Sequence, residues 1–147
     1  MSSLVSERMS SSPGRWETLS EHPTLICDTA HNEDGIRYVV RQLVALGRPL
    51  HLIFGMVSDK DVRGVLSLLP QSAKYYFTAA RVPRALAPEE LRELAQPYGL
   101  RGEVYPSIRE ALAAAQSVAQ PETDVIFVGG SNFLIADLLA IQSTKQR

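Results

Sequence analysis

Three side chains able to do chemistry stand within five residues of one another in the stretch LICDTAHNEDG, Leu25–Gly35: Asp28, His31 and Asn32. A carboxylate such as Asp28 can accept hydrogen bonds from a ribose diol or hold a cation, and it can equally close a turn or cap a helix. Histidine titrates near neutral pH, so His31 suits acid–base work or donation to an anionic substrate group; a solvated loop histidine is the plainer reading. Asn32, followed by Glu33 and Asp34, has the form of a helix N-cap with acids at the positive end of the helix dipole.

Three further stretches offer polar groups of the same kind. Gly129-Gly130-Ser131 would present backbone N–H groups and a hydroxyl at a helix start, a nest for a carboxylate or phosphate, or an ordinary turn. Asp59-Lys60-Asp61 puts three charges beside Gly55, as a solvated turn with a helix cap or as a loop from which Lys60 reaches a phosphate. Arg81 and Arg84 flank a proline in RVPRAL and would either clamp an anion or lie exposed. Arg15, after Gly14, says nothing alone. The chain contains no GxGxxG, GxxxxGK[ST] or GxSxG pattern, and no His/Cys/carboxylate cluster has zinc spacing. These residues describe an anion- or nucleotide-binding edge without a complete catalytic machine.

The elements that must hold these loops follow from apolar periodicity. LHLIFGM (50–56) is a near-continuous apolar run ending in glycine, as a strand buried on both faces requires. TLICD, AKYYFTAA (73–80), EVYP (103–106) and DVIFVGGS (124–131) read as further strands. WETL, joined to TLICD by the short turn Ser20–Pro23, predicts an antiparallel hairpin. Between the strands lie helical patterns. Ile36, Val39, Val40 and Leu43 share one face, with Gly47 as the stop. VRGVLSLL (62–69) is closed by Pro70, and EELRELAQ starts at Pro88. An alanine-rich helix is capped by Ser107, and NFLIADLLAIQ closes the chain. Strand and helix alternate, which predicts a Rossmann-like, doubly wound α/β sheet, mostly parallel, with helices on both faces. In such a sheet the loops Asp28–Asn32, Gly55–Asp61, Ala80–Ala85 and Gly129–Asn132 open on one edge, where ligands bind.

Composition fits that architecture. The chain has 147 residues, 45% of them hydrophobic, and a formal net charge of −1, which leaves no tail suited to nucleic acid. No apolar run approaches the ~20 residues that span a bilayer. Cys27 is the one cysteine, so no internal disulfide forms; it reads as a packed core thiol, in keeping with a cytoplasmic protein. Residues 1–12 are serine-rich and read as a linker remnant, 13–142 as the α/β domain and 143–147 as a tail.

Five motifs, PGRW, ICDTAHN, FGMVSDKD, RVPRAL and FVGGSNFLIADLL, occur in this order. Together they resemble the C-terminal domain of folylpolyglutamate synthase/dihydrofolate synthase, a family of the Mur ligase superfamily, over Pro13–Leu139. The resemblance implies an ATP-dependent amide ligase that uses ATP and Mg2+. It phosphorylates a folate or dihydropteroate carboxylate to an acyl phosphate, which the amino group of L-glutamate attacks. It also implies that the P-loop and most magnesium ligands lie in an N-terminal partner domain, that this chain closes over the nucleotide and helps bind glutamate, and that alone it is inactive. Residue by residue, Arg15 matches the interdomain arginine at the nucleotide phosphates, and Asp28 the aspartate approaching the ribose. His31 and Ser131 match residues expected near the glutamate, and Asn32 supports its loop and the nucleotide. Gly55, Asp59, Lys60 and Asp61 match a loop-shaping motif. Thr29 stands where the family often has glycine, a change expected to alter the loop only slightly. Met1-Ser2-Ser3 reads either as the boundary of an excised fragment or as the start of a truncated reading frame. Two other readings remain open here: the equivalent domain of a cell-wall Mur-type ligase, and a stand-alone module that binds a nucleotide or anion.

Overall fold

The structure, a computed structural model, describes residues 15–58 and 61–145. In chain order the elements are β1 (Glu17–Ser20), β2 (Thr24–Cys27), α1 (Glu33–Ala45), β3 (Leu50–Phe54), α2 (Val62–Leu66) and β4 (Lys74–Phe77). They continue with α3 (Pro88–Ala95), β5 (Gly102–Val104), α4 (Ile108–Val118), β6 (Val125–Gly129) and α5 (Asn132–Lys145). The apolar runs β3 and β6 are buried at every position and pair with each other in parallel, from Leu50 opposite Val125 to Phe54 opposite Gly129. They form the middle of one sheet of order β1-β2-β6-β3-β4-β5. All pairings are parallel except β1 with β2, the hairpin that the short Ser20–Pro23 turn predicts.

The sheet separates two apolar layers. On one face Ile36, Val39 and Leu43 of α1, Val65 and Leu66 of α2, and Leu91 of α3 pack on Leu52, Phe54, Tyr75, Phe77 and Phe127. On the other, Ala111, Leu112 and Ala115 of α4 and Leu134, Ile135 and Leu138 of α5 pack on Leu25, Cys27, Ile53, Ile126 and Val128. The chain steps from β3 to β4 to β5 in one direction and returns from β5 to β6 in the other. That reversal moves the crossover helix to the opposite face, as the uniform hand of such connections demands. The doubly wound α/β class is therefore the observed one. Cys27 is fully buried, and burial pushes its thiol up to about 12, so it is an inert core group.

Local details differ from the sequence reading in three places. The helix read over 62–69 ends at Leu66, because the Ser67 hydroxyl donates to the Gly64 carbonyl and the chain tightens into i→i+3 bonds before Pro70. Ser107 stands at the N-cap of α4, but its hydroxyl donates to the Glu110 carboxylate instead of accepting a backbone N–H. The last helix continues through Lys145, into the segment read as a tail, since Ser143, Thr144 and Lys145 include no helix breaker. The expected linker remnant at 1–12 and the Asp59–Lys60 pair lie outside the described residues.

Candidate functional site

The site is assembled from the loops that leave the carboxyl ends of the parallel strands. After β2, the Asp28 carboxylate is buried, and each of its oxygens accepts a backbone N–H: Oδ2 from Trp16 and Oδ1 from Ala30, both at 2.8 Å. The first bond ties the entry of β1, and with it Arg15, to the β2 loop. Trp16 adopts a left-handed φ of 43° and lays its ring against Phe127, with centroids 6.3 Å apart. Further along, His31 Nδ1 lies 3.2 Å from the Thr29 carbonyl. A carbonyl only accepts, so this bond places a proton on Nδ1 and leaves Nε2 as the acceptor of the neutral ring. Asn32 then caps α1, its Oδ1 accepting from Gly35 N at 2.9 Å.

The other loops are sewn to one another. Gly55 N donates to the Gly129 carbonyl, and a Cβ on Gly130, whose φ is +105°, would run into the Gly55 carbonyl. Ser58 N donates to Arg84 O and Leu86 N to Met56 O, each at 2.8 Å, with Val57 bridged to Ala85. Asp137 of α5 accepts from Arg81 N at 3.0 Å. Ser131 is buried at the head of α5, where its Oγ accepts from Phe133 N. The Arg84 guanidinium sits over the Phe133 ring, 5.5 Å from its centroid.

Two adjoining clefts result, with His31 in the wall of both. The larger, of about 430 Å³, is lined by His31, Asn32, Glu33, Asp34, Asp61 and Val65. The smaller, of about 130 Å³, is lined by His31, Val57, Arg84, Ser131, Asn132 and Phe133, so each of the four loops contributes to it. Electrostatically the two differ. Glu33 and Asp61 hydrogen-bond to each other in the larger cleft, which holds the Glu33 carboxyl above its ordinary range and the Asp61 carboxyl below it. Asp61 also caps α2 through Gly64 N.

Of the residues singled out by sequence, His31 and Ser131 meet in the smaller cleft and Asn32 and Asp61 line the larger. Asp28 lines neither; it braces the Arg15–Trp16 entry instead. Gly55 makes the close approach between the β3 and β6 loops. Arg81 is engaged through its backbone, while Arg84 reaches the cleft. Sequence reasoning missed Trp16, Phe133 and Asp137, because a ring under a guanidinium 49 positions away leaves no local pattern. Among the described residues no three His, Cys, Asp or Glu side chains are grouped to hold a metal ion.

A family model described as "Mur ligase, glutamate ligase domain" matches residues 14–132. The chain belongs to the Mur ligase glutamate ligase domain family. Over 138 residues it is 33% identical to the dihydrofolate synthase/folylpolyglutamate synthase of Escherichia coli (strain K12), covering 91% of this chain and 31% of that protein. Among solved structures, E. coli FolC in complex with DHPP and ADP superposes with a TM-score of 0.83 at 29% identity, over 92% of this chain and 32% of that one. A bifunctional folylpolyglutamate synthase/dihydrofolate synthase with Mn, AMPPNP and L-glutamate bound gives 0.80 at 31% identity, over 89% and 32%. The chain thus spans just under a third of the length of these relatives. No helix among its described residues is long and apolar enough to cross a membrane.

Proposed function

We propose that this chain is the nucleotide-closing and glutamate-binding domain of an ATP-dependent ligase that adds L-glutamate to folate or dihydropteroate. The observation that carries the reading is the convergence of all four strand-end loops on one small cleft lined by His31 and Ser131, with the Arg15–Trp16 entry tied to the first of those loops through Asp28. It is supported by membership of the glutamate ligase domain family and by likeness to enzymes solved with ADP, AMPPNP, Mn and L-glutamate.

In this reading the reaction has two steps. A pteroate or folate carboxylate takes the terminal phosphoryl group of ATP, releasing ADP. The glutamate amine then attacks the acyl carbon and expels phosphate. ATP supplies the activating phosphoryl group and a divalent ion its charge neutralisation, with the metal ligands and P-loop in a partner domain. Arg15 offsets charge on the transferring phosphoryl group. The Asp28 carboxylate, with two of its roughly four lone-pair sites taken by backbone N–H groups, has acceptor capacity left for a ribose diol. Asn32 spends Oδ1 on the cap and keeps its amide donors for the nucleotide. His31 and Ser131 fix the glutamate for attack, which converts a bimolecular step into a positioned one.

The test is steady-state kinetics of the full-length ligase carrying this domain. His31→Ala and Ser131→Ala are expected to raise KM for glutamate more than KM for ATP, and Arg15→Ala to lower kcat. A glutamate dependence unchanged in both cleft variants removes their assignment, and wild-type turnover of Arg15→Ala removes the arginine from the phosphates.

A further inference from the structure

Trp16 is a bulky aromatic residue at a left-handed φ of 43°, a region that such side chains rarely enter. Its surroundings hold it there. The N–H donates to Asp28 Oδ2 at 2.8 Å, and the half-buried indole packs on the core layer beneath α1, 6.3 Å from Phe127 and tilted by 35°. These interactions reach two of the site loops. Asp28 opens the loop that carries His31, and Phe127 lies in the strand that ends at Gly129, two residues before Ser131. Burying an indole needs no such dihedral, since aromatic rings pack well from the extended backbone of a strand. What φ at residue 16 sets is the direction of the chain before it: rotation about N–Cα swings the preceding peptide, and Arg15 with it. Unfavourable backbone persists where the surroundings over-determine it, and it gathers at functional sites.

We propose that Trp16 is a positioning residue for Arg15: its left-handed backbone, fixed by Asp28 and by the ring on Phe127, sets the direction from which the arginine reaches the phosphates. The inference rests on the reading of Arg15 as the residue at the nucleotide phosphates and names what aims it. Arg15 is exposed and stands two residues before β1 begins at Glu17. On a loose segment its long side chain would spread over many orientations; fixing the next residue narrows them. Offsetting charge on a transferring phosphoryl group is a matter of position, and a misplacement of about 1 Å can cost roughly 100-fold in rate. The carboxylate that holds Trp16 N is also the one with acceptor capacity left for the ribose, so arginine and nucleotide are set in register on one group.

The experiment is a double-mutant cycle on the full-length ligase carrying this domain, with kcat and KM for glutamate measured for Arg15→Ala, Trp16→Gly and the pair combined. Glycine keeps the main-chain N–H for Asp28 and tolerates the positive φ, so Trp16→Gly removes the ring and frees the segment. It is expected to lower kcat roughly tenfold or more while KM for glutamate stays within about twofold. Trp16→Phe, whose ring still packs on Phe127, is expected to restore most of that loss. In the Arg15→Ala background Trp16→Gly should cost nothing further, because residues that act as a unit are not additive. Trp16→Leu, which fills most of the same space without the flat ring, carries the same cycle if the glycine variant does not fold. The same fall in kcat with and without Arg15 overturns the inference, since Trp16 would then act on the fold and not through the arginine. Wild-type turnover of both Trp16→Gly and Trp16→Leu, beside a slowed Arg15→Ala, overturns it and leaves Arg15 at the phosphates. Wild-type turnover of Arg15→Ala overturns the inference and the reading beneath it together.

Discussion

Asp28 shows how one carboxylate can satisfy two readings that its sequence leaves open. Both oxygens already accept backbone N–H groups, so the turn-forming role is present in the fold, and the ribose role has to share the same group. The two separate experimentally. Asp28→Asn keeps the shape but replaces one acceptor oxygen by a donor that faces a donor, leaving one part-buried N–H without a partner. Such a loss costs about 1–3 kcal/mol. Unfolding of the chain by urea without nucleotide should therefore show a lowered midpoint. An unchanged midpoint would mean that the bonds to Trp16 and Ala30 contribute nothing, and Asp28 would then serve a ligand alone.

At the scale of elements, the loops work because they approach more closely than side chains permit. Gly130 combines a φ of +105° with a Cβ position that would strike the Gly55 carbonyl, so both backbone conformation and space exclude a side chain there. Gly130→Ala is expected to destabilise the chain by about 2–4 kcal/mol in equilibrium unfolding, more than either strain or contact alone. A loss within 0.5 kcal/mol of wild type would show that the β6 loop can relax away from β3. This approach was only half legible in the sequence. The GG pair marks a turn, but nothing local says that its second glycine faces the one after β3. Strands and helices were legible for a different reason: LHLIF, apart from His51, and VIFVG are apolar without alternation, and the Ile36–Leu43 spacing is helical, so each carries its own burial pattern. The N-cap at Asn32 was legible because capping is a local bond, whereas Ser107 had two local partners and chose Glu110. The Arg84–Phe133 stack and the Trp16–Asp28 bond join distant segments and exist only once the sheet has formed.

The molecule as a whole keeps two polar centres at opposite edges of one sheet. The loops with His31, Arg84 and Ser131 lie past the carboxyl ends of the strands; at the other edge His51, Asp124 and Tyr76 form a buried chain. His51 Nε2 donates to Asp124 Oδ2 at 2.8 Å, Tyr76 Oη donates to His51 Nδ1 at 2.9 Å, and Thr123 Oγ1 donates to Asp124 Oδ1. Burial holds the Tyr76 hydroxyl up at about 12, so it remains a donor. Burial also acts to raise the Asp124 carboxyl, but the hydrogen bonds from His51 and Thr123 outweigh it and hold the group below its ordinary range. A carboxyl depressed in the folded state stays ionised there at pH values where the unfolded chain has already bound a proton. Its contribution is thus fully present above about pH 4 and is lost as pH falls through the folded value. From His51 to Gly55 the strand runs four residues, roughly 13 Å, beyond the range at which substitutions usually couple. Asp124→Asn should therefore lower stability at pH 7, with the gap to wild type closing on acidification below about pH 4. The amide shifts of His31 and Ser131 should stay where they are. A gap that does not narrow at all as pH falls below about 4 would show that Asp124 acts through shape and not charge. Shifts moving at His31 would show that the sheet transmits strain from one edge to the other, and that the scaffold and the site are one cooperative unit.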